Sequence, residues 1–255
     1  DVMRKLYIDC GGGLSGDMLV AALIDLGVNT NKITEAFNTF TVRSGKELSY
    51  KITYEDYDNE KACEFNVICD ESEYTKEAAT GNAHTRNLEE IHDMLDMFDM
   101  SGYARTIARR IYNIIAGSEA TVYAMNPGEI KLFEDGSLQT IAVIAAFAIC
   151  FDALEAHEVI VPRIVEGSGE VMTHQGERIV PAPLISQIAG FYNLPIEKTG
   201  TKGELITSVG AAMIAAIITD TKAIDEEEVK DAKVSIGAGQ CHLDKPAVIK
   251  AYFVE

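Results

Sequence analysis

Residues 6–26 constrain this chain more than any other stretch. Leu6-Tyr7-Ile8 reads as a strand that runs into Asp9-Cys10-Gly11-Gly12-Gly13-Leu14-Ser15-Gly16-Asp17-Met18, and apolar residues then recur at helical spacing as far as Leu26. Without a Cβ, three consecutive glycines allow a sharp turn and let backbone N–H groups approach a ligand closely. Ser15 is placed to cap the helix, whose first turn carries unpaired N–H groups that favour an anion. Gly11, Gly12, Gly13, Ser15 and Gly16 are therefore candidate phosphate-binding residues. Asp9 and Asp17 bracket the loop with carboxylates that suit a cation, Mg2+ or Mn2+ accompanying a nucleotide. The plainer reading is a tight turn, with Asp17 complementing the helix dipole.

Charge narrows the class of ligand. The 255 residues carry a formal net charge of -18, which argues against nucleic acid, because affinity there comes from Lys and Arg neutralising phosphates. A nucleotide ligand would need a divalent cation or a local basic patch, for which Lys131, Arg178, Lys198 and Lys202 lie near the motif segments. Five cysteines without a CxxC pair or disulfide-scaffold density read as a reducing, cytoplasmic setting. The longest apolar runs, 141–151 and 209–218, are too short to span a bilayer.

The order of elements follows from pattern and punctuation. A strand is expected at 5–10, helices at 16–27 and 31–40, and paired strands at 48–54 and 63–69 about a polar turn at 55–60. Residues 70–83 read as an exposed linker. Asn87 with Glu90 makes a capping pair for a helix to Phe98, and Ser101 opens another that Pro127-Gly128 ends. A short strand at 130–133 should precede a buried helix at 138–154, with a β-branched strand at 159–165. A hairpin-like segment, helices opened by Pro183 and Thr207, and strands near 233–237 and 247–254 complete the chain. The pattern predicts an α/β to α+β architecture, a mixed sheet with helices packed on its faces. Residues 1–125 and 126–255 are candidate subdomains, with no clear linker between them.

Three loops are expected to present N–H groups at helix starts: Gly11–Gly16, Pro181-Ala182-Pro183, and the Thr207-Ser208 entry. Proline suits a first helical turn, since its missing N–H would be unpaired there. If the strands before these helices are parallel neighbours, their starts gather at the carboxyl edge of the sheet, where α/β proteins bind ligands. Thr207 thus joins the anion-binding candidates. His174 is a candidate ligand or proton shuttle, and Glu134 a candidate carboxylate ligand. Plainer roles are a hydrogen-bonded loop residue for His174 and a solvated acid for Glu134. Glu204 reads as a dipole partner of the Thr207 helix. His84, His92 and His157 read as solvent-facing, the Cys241-His242…Asp244 cluster as an exposed turn, and Cys10 as a buried small hydrophobe.

The motifs, taken in order, resemble the LarC family, which inserts nickel into the pincer nucleotide cofactor of lactate racemase. The opening Asp9–Met18 decapeptide is similar to that family's D-C-F-S-G-I-S-G-D-M, with Gly11 and Gly12 in place of Phe and Ser. Val165-Glu166-Gly167-Ser168-Gly169, His174-Gln175-Gly176 and Val180-Pro181-Ala182-Pro183 resemble its G-x-G…H-G…P-V-P-A-P segment. Gly203–Ala212 resembles G-E-L-T-T-P-T-G-A-A, and Ile236-Gly237-Ala238-Gly239 the G-x-G-A-G strand. One departure stands out. Where the family carries V-H-F-H-E-V-G-A-V-D-S, this chain reads Ile130-Lys131-Leu132-Phe133-Glu134-Asp135-Gly136-Ser137-Leu138-Gln139-Thr140. Two histidines one residue apart on a strand share a face suited to holding a metal, and Lys131 and Phe133 replace both.

The resemblance implies CTP-dependent insertion of nickel into pyridinium-3,5-bisthiocarboxylic acid mononucleotide, a metallo-lyase or chelatase type of activity. The expected metal candidates are Asp9, Asp17, Glu134 and His174. The family's CTP chemistry is associated with a further carboxy-terminal region that this chain does not include. That region is expected as a separate partner, or to be absent by truncation or from the outset. A homo-oligomer is a second expectation. The alternative is a diverged, noncatalytic paralogue that binds a phosphorylated small molecule or serves as a partner subunit.

Overall fold

The structure is a computed structural model that describes residues 3–70, 85–173, 176–239 and 247–255. Two sheets meet at the end of the first strand. The larger has strand order β2-β3-β8-β9-β1-β4, built from β1 (Lys5–Asp9), β2 (Leu48–Tyr57), β3 (Glu60–Cys69), β4 (Glu158–Ile160), β8 (Val234–Ala238) and β9 (Val248–Val254). The smaller has order β6-β5-β7, from β5 (Ile164–Thr173), β6 (Gly176–Val180) and β7 (Ile196–Lys202). β1 runs parallel to β4 and antiparallel to β9, so the large sheet is mixed. A single parallel bridge, Cys10 to Ile164, carries β1 across into the small sheet.

Helices pack on these sheets as the apolar runs require. α1 (Gly16–Asp25) buries eight of its ten residues, and α5 (Leu138–Leu154) buries eleven of seventeen, so neither has a polar face and both sit inside the fold. α2 (Asn31–Ser44), α3 (Leu88–Leu95) and α4 (Gly102–Tyr123) present amphipathic faces to the same core. α6 (Pro183–Tyr192), α7 (Ser208–Ile217) and the single turn α8 (Glu226–Val229) complete the described helices. One contiguous cluster of buried side chains runs from Leu6 and Leu19 through Ile111 and Phe147 to Met213 and Ile249.

The mixed sheet with helices on its faces agrees with the sequence reading, and the departures have local causes. The turn between β2 and β3 is only Asp58-Asn59, both at positive φ, so the strands extend further than 54 and 63. The expected strand at 130–133 is one bridge: Leu132 pairs with Arg86, and the ladder stops because Asn87 already caps α3. The β-branched run 159–165 is two strands. Pro162 interrupts it, lacking an N–H for the ladder. Tyr7 to Cys10 is three steps against four from Ile160 to Ile164, so the 160–164 segment carries one extra residue where it changes sheets. The linker read at 70–83 lies almost wholly outside the described residues.

Candidate functional site

The glycine loop is pinned on three sides by backbone. Leu14 N–H donates to Leu205 O at 2.8 Å, and Thr207 N–H donates to Leu14 O at 2.8 Å, forming a parallel bridge between Leu14 and Ile206. That bridge brings the start of α7 beside the start of α1. A Cβ on Gly12 would lie 2.6 Å from Val248 O, and one on Gly13, whose φ is +117°, would lie 2.6 Å from Leu205 O. A Cβ on Gly11 would meet the Arg163 guanidinium at 2.5 Å. Close approach of other backbone segments therefore accounts for Gly12 and Gly13, whereas at Gly11 the contact is the movable end of the Arg163 side chain.

Ser15 occupies the N-cap position of α1 in extended backbone, yet it does not cap. Its hydroxyl donates to the half-buried Asp17 carboxylate at 2.6 Å, and its oxygen accepts no N–H of the first turn. Thr207 does cap: its Oγ1 accepts from Gly210 N–H at 3.0 Å. Gly16 and Gly210 lie where the two helix starts press together, against Val209 and Leu14 respectively. The end of β8 reaches the same place, since a Cβ on Gly239 would sit 3.3 Å from Ser15 Oγ. The α6 start is on the same edge, because β6 ends opposite Gly169 and α6 returns to the level of Ile164, where β7 begins.

The carboxylates have definite partners. Asp9 accepts from Arg163 Nε at 2.9 Å and from Nη2 at 3.3 Å, and this pairing raises the Arg163 pKa. Cys10 is fully buried and burial pushes its thiol up, so it is an inert core residue. Glu134 is exposed on a 3-10 turn, Glu134–Gly136. Its neighbour Asp135 accepts from Ser208 Oγ at 2.7 Å, tying that turn to the first residue of α7. Glu119 of α4 faces this pair, and burial first, then the Asp135 charge, raises its pKa to about 7. Burial likewise raises Asp135, against the Ser208 hydrogen bond. Among the described residues no three His, Cys, Asp or Glu side chains converge to hold a metal ion.

The remaining candidates are dispersed. Arg178 pairs with Glu204 at 2.7 Å, so Glu204 answers a guanidinium besides standing near a helix start. Lys131 is exposed just before the Glu134–Gly136 turn, and Lys198 and Lys202 are both exposed on β7. His92 is half-buried, not solvent-facing, and burial lowers its pKa. His157 is exposed and accepts from Arg4 N–H. His174, His84 and the Cys241-His242…Asp244 cluster lie outside the described residues. A cleft of about 440 Å³, lined by Leu26, Lys32, Asp152 and Phe253 among others, opens at the opposite edge, beside the beginning of β1.

Sequence reasoning missed Glu166. It sits on β5 inside a family-like motif, is fully buried, and its Oε1 accepts from Gly167 N–H at 2.8 Å and Leu205 N–H at 2.7 Å. Its Oε2 is buried without a well-formed hydrogen bond, and the Ile206 N–H is a third backbone donor acting on the carboxyl group. Burial raises its pKa, and the backbone donors act in the opposite sense. Nothing local in the sequence marks a buried acid in this position. Glu119 and Asp135 were missed for the same reason.

Helices packed on two sheets, one of them mixed, with a glycine turn joining the first strand to its helix, make this a protein of the α/β to α+β class. Comparison with known proteins is more specific: the model of the family described as nickel insertion protein matches residues 6–255, and the chain belongs to that family. The pyridinium-3,5-bisthiocarboxylic acid mononucleotide nickel insertion protein of Alkaliphilus metalliredigens is 31% identical over 99% of this chain and 61% of its own length. The protein of the same name from Clostridium kluyveri is 30% identical over 99% of this chain and 62% of its own length. The chain thus spans about three fifths of the curated relatives it matches. No solved structure matches. The LarC resemblance read from the motifs is borne out at the level of the family.

Proposed function

We propose that this chain takes part in nickel insertion into a nucleotide-derived pincer precursor, with nickel as cargo rather than resident cofactor. The observation that carries the proposal is the bridge between Leu14 and Ile206. It joins two family-like motifs, nearly two hundred residues apart, into one edge bearing the α1 and α7 helix starts. Helix N-termini favour a phosphate or carboxylate, and a pyridinium mononucleotide offers both kinds of anion. In this reading Gly11, Gly12, Gly13, Ser15, Gly16 and Thr207 receive the ligand's anionic end. Asp17 and Glu134 stand nearest to roles in meeting the metal or a Mg2+ or Mn2+ that accompanies a nucleotide. His174 is proposed to belong with them. The part of the relatives' length that this chain does not span would supply CTP-dependent steps.

A second reading is favoured by two observations: Arg163 holds Asp9, and Lys131 and Phe133 stand where the family pattern has histidines. It makes the chain a noncatalytic relative that keeps the anion-receiving edge. Nickel calorimetry on chelator-stripped protein separates the two, run beside a Lys131→His/Phe133→His double variant. Stoichiometric submicromolar binding by the natural chain supports nickel handling. Binding gained only in the double variant supports the noncatalytic reading and overturns the first.

A further inference from the structure

Glu166 is buried out of all proportion to its chemistry. A carboxyl group with no solvent exposure is costly unless its oxygens are hydrogen-bonded. Here one oxygen gathers N–H groups from two segments, Gly167 of β5 and Leu205 of the turn after β7. The Leu205 carbonyl in turn receives Leu14 N–H, and Leu14 O receives Thr207 N–H. A chain of hydrogen bonds therefore runs from the Glu166 carboxyl through Leu205 to the glycine loop and the start of α7. The turn has little else to hold it against β5. Gly203 N–H reaches Ser168 O at 3.2 Å, and Gly167 must be glycine because a Cβ would overlap Gly203 O at 1.9 Å.

We propose that Glu166 is the positioning residue of this edge: its buried carboxyl clamps the 203–206 turn to β5 and thereby fixes where the glycine loop and the α7 start meet. The inference deepens the reading of that edge as the ligand-receiving site. The clamp needs only an acceptor at Oε1, so a neutral side chain of the same shape can serve. The second oxygen is sealed from solvent, where a carboxyl group is better tolerated carrying a proton than a charge. The charged groups around it are Glu204 on the clamped turn, with its partner Arg178 on β6, and Lys198, its register neighbour on β7. The like charge of Glu204 adds to the preference for the neutral form.

Amide hydrogen exchange on the full chain without ligand tests this independently of nickel. The informative amides are Leu14 and Thr207, because neither bonds to Glu166 itself. Glu166→Ala should speed their exchange by about tenfold or more relative to the β2–β3 hairpin, as loss of a buried hydrogen bond allows. Glu166→Gln should restore protection and remove any dependence of it on pH between acid and neutral. Unchanged protection of Leu14 and Thr207 in the alanine variant overturns the clamp. So does a glutamine variant no better than alanine, or a loss spread evenly over the molecule. A failed nickel titration with an intact exchange result would discard the ligand reading and leave the clamp standing.

Discussion

At the scale of single residues, the same amino acid carries opposite meanings according to what stands beside it. Gly13 holds φ at +117° with Leu205 O where a Cβ would be, whereas Gly117 lies inside α4 with nothing within 4 Å. Gly13→Ala should cost about 2–3 kcal/mol in urea unfolding. Gly117→Ala should stabilise by about 0.5–1 kcal/mol, because it removes backbone freedom from a helix interior with open space beside it. Glu119 makes a pH prediction. Its pKa rises from an ordinary 4.5 to about 7, so the folded state binds its proton more tightly than the unfolded chain does. The stability this contributes is complete below about 4.5 and is lost as pH rises through about 7. Melting temperatures of Glu119→Gln should therefore lack that decline, and parallel curves for the two proteins would refute the assignment.

At the scale of elements, the ends matter more than the middles. Capping residues were legible because their chemistry is local: Asn87 and Glu90 form the reciprocal box on α3, and Ser101 and Thr207 each accept a backbone N–H. Ser15 had the same local signature and does not cap; its hydroxyl donates to Asp17, an acceptor the pattern does not weigh. Thr207→Ala should destabilise the protein by about 1 kcal/mol, with serine recovering most of it, measured by chemical denaturation. If the α7 start also receives an anion, the alanine variant should weaken that binding more than it weakens folding. The strand expected at 130–133 is missing because a strand needs a neighbour with free ladder positions, and the sequence does not say where neighbours end.

At the scale of the whole molecule, charge and topology dominate. A net charge of -18 on a compact chain is self-repulsive. Raising NaCl from about 20 to about 200 mM shortens the Debye length to under about 10 Å and should raise Tm by a few degrees. No rise would mean that local ion pairs such as Arg109–Asp96 and Lys5–Glu228 already offset the excess. What the sequence determined by itself was most of the element order, the mixed α/β character, the buried α5, and membership of the nickel insertion family. Each rests on periodicity, caps or motif order, which are read along the chain. Only the tertiary structure decided that Leu14 meets Ile206, that Arg163 closes on Asp9, and that Glu166 is buried with one oxygen on Leu205 N–H. Those contacts join residues some 40 to 190 positions apart, and their energies depend on burial and neighbours that no local pattern encodes.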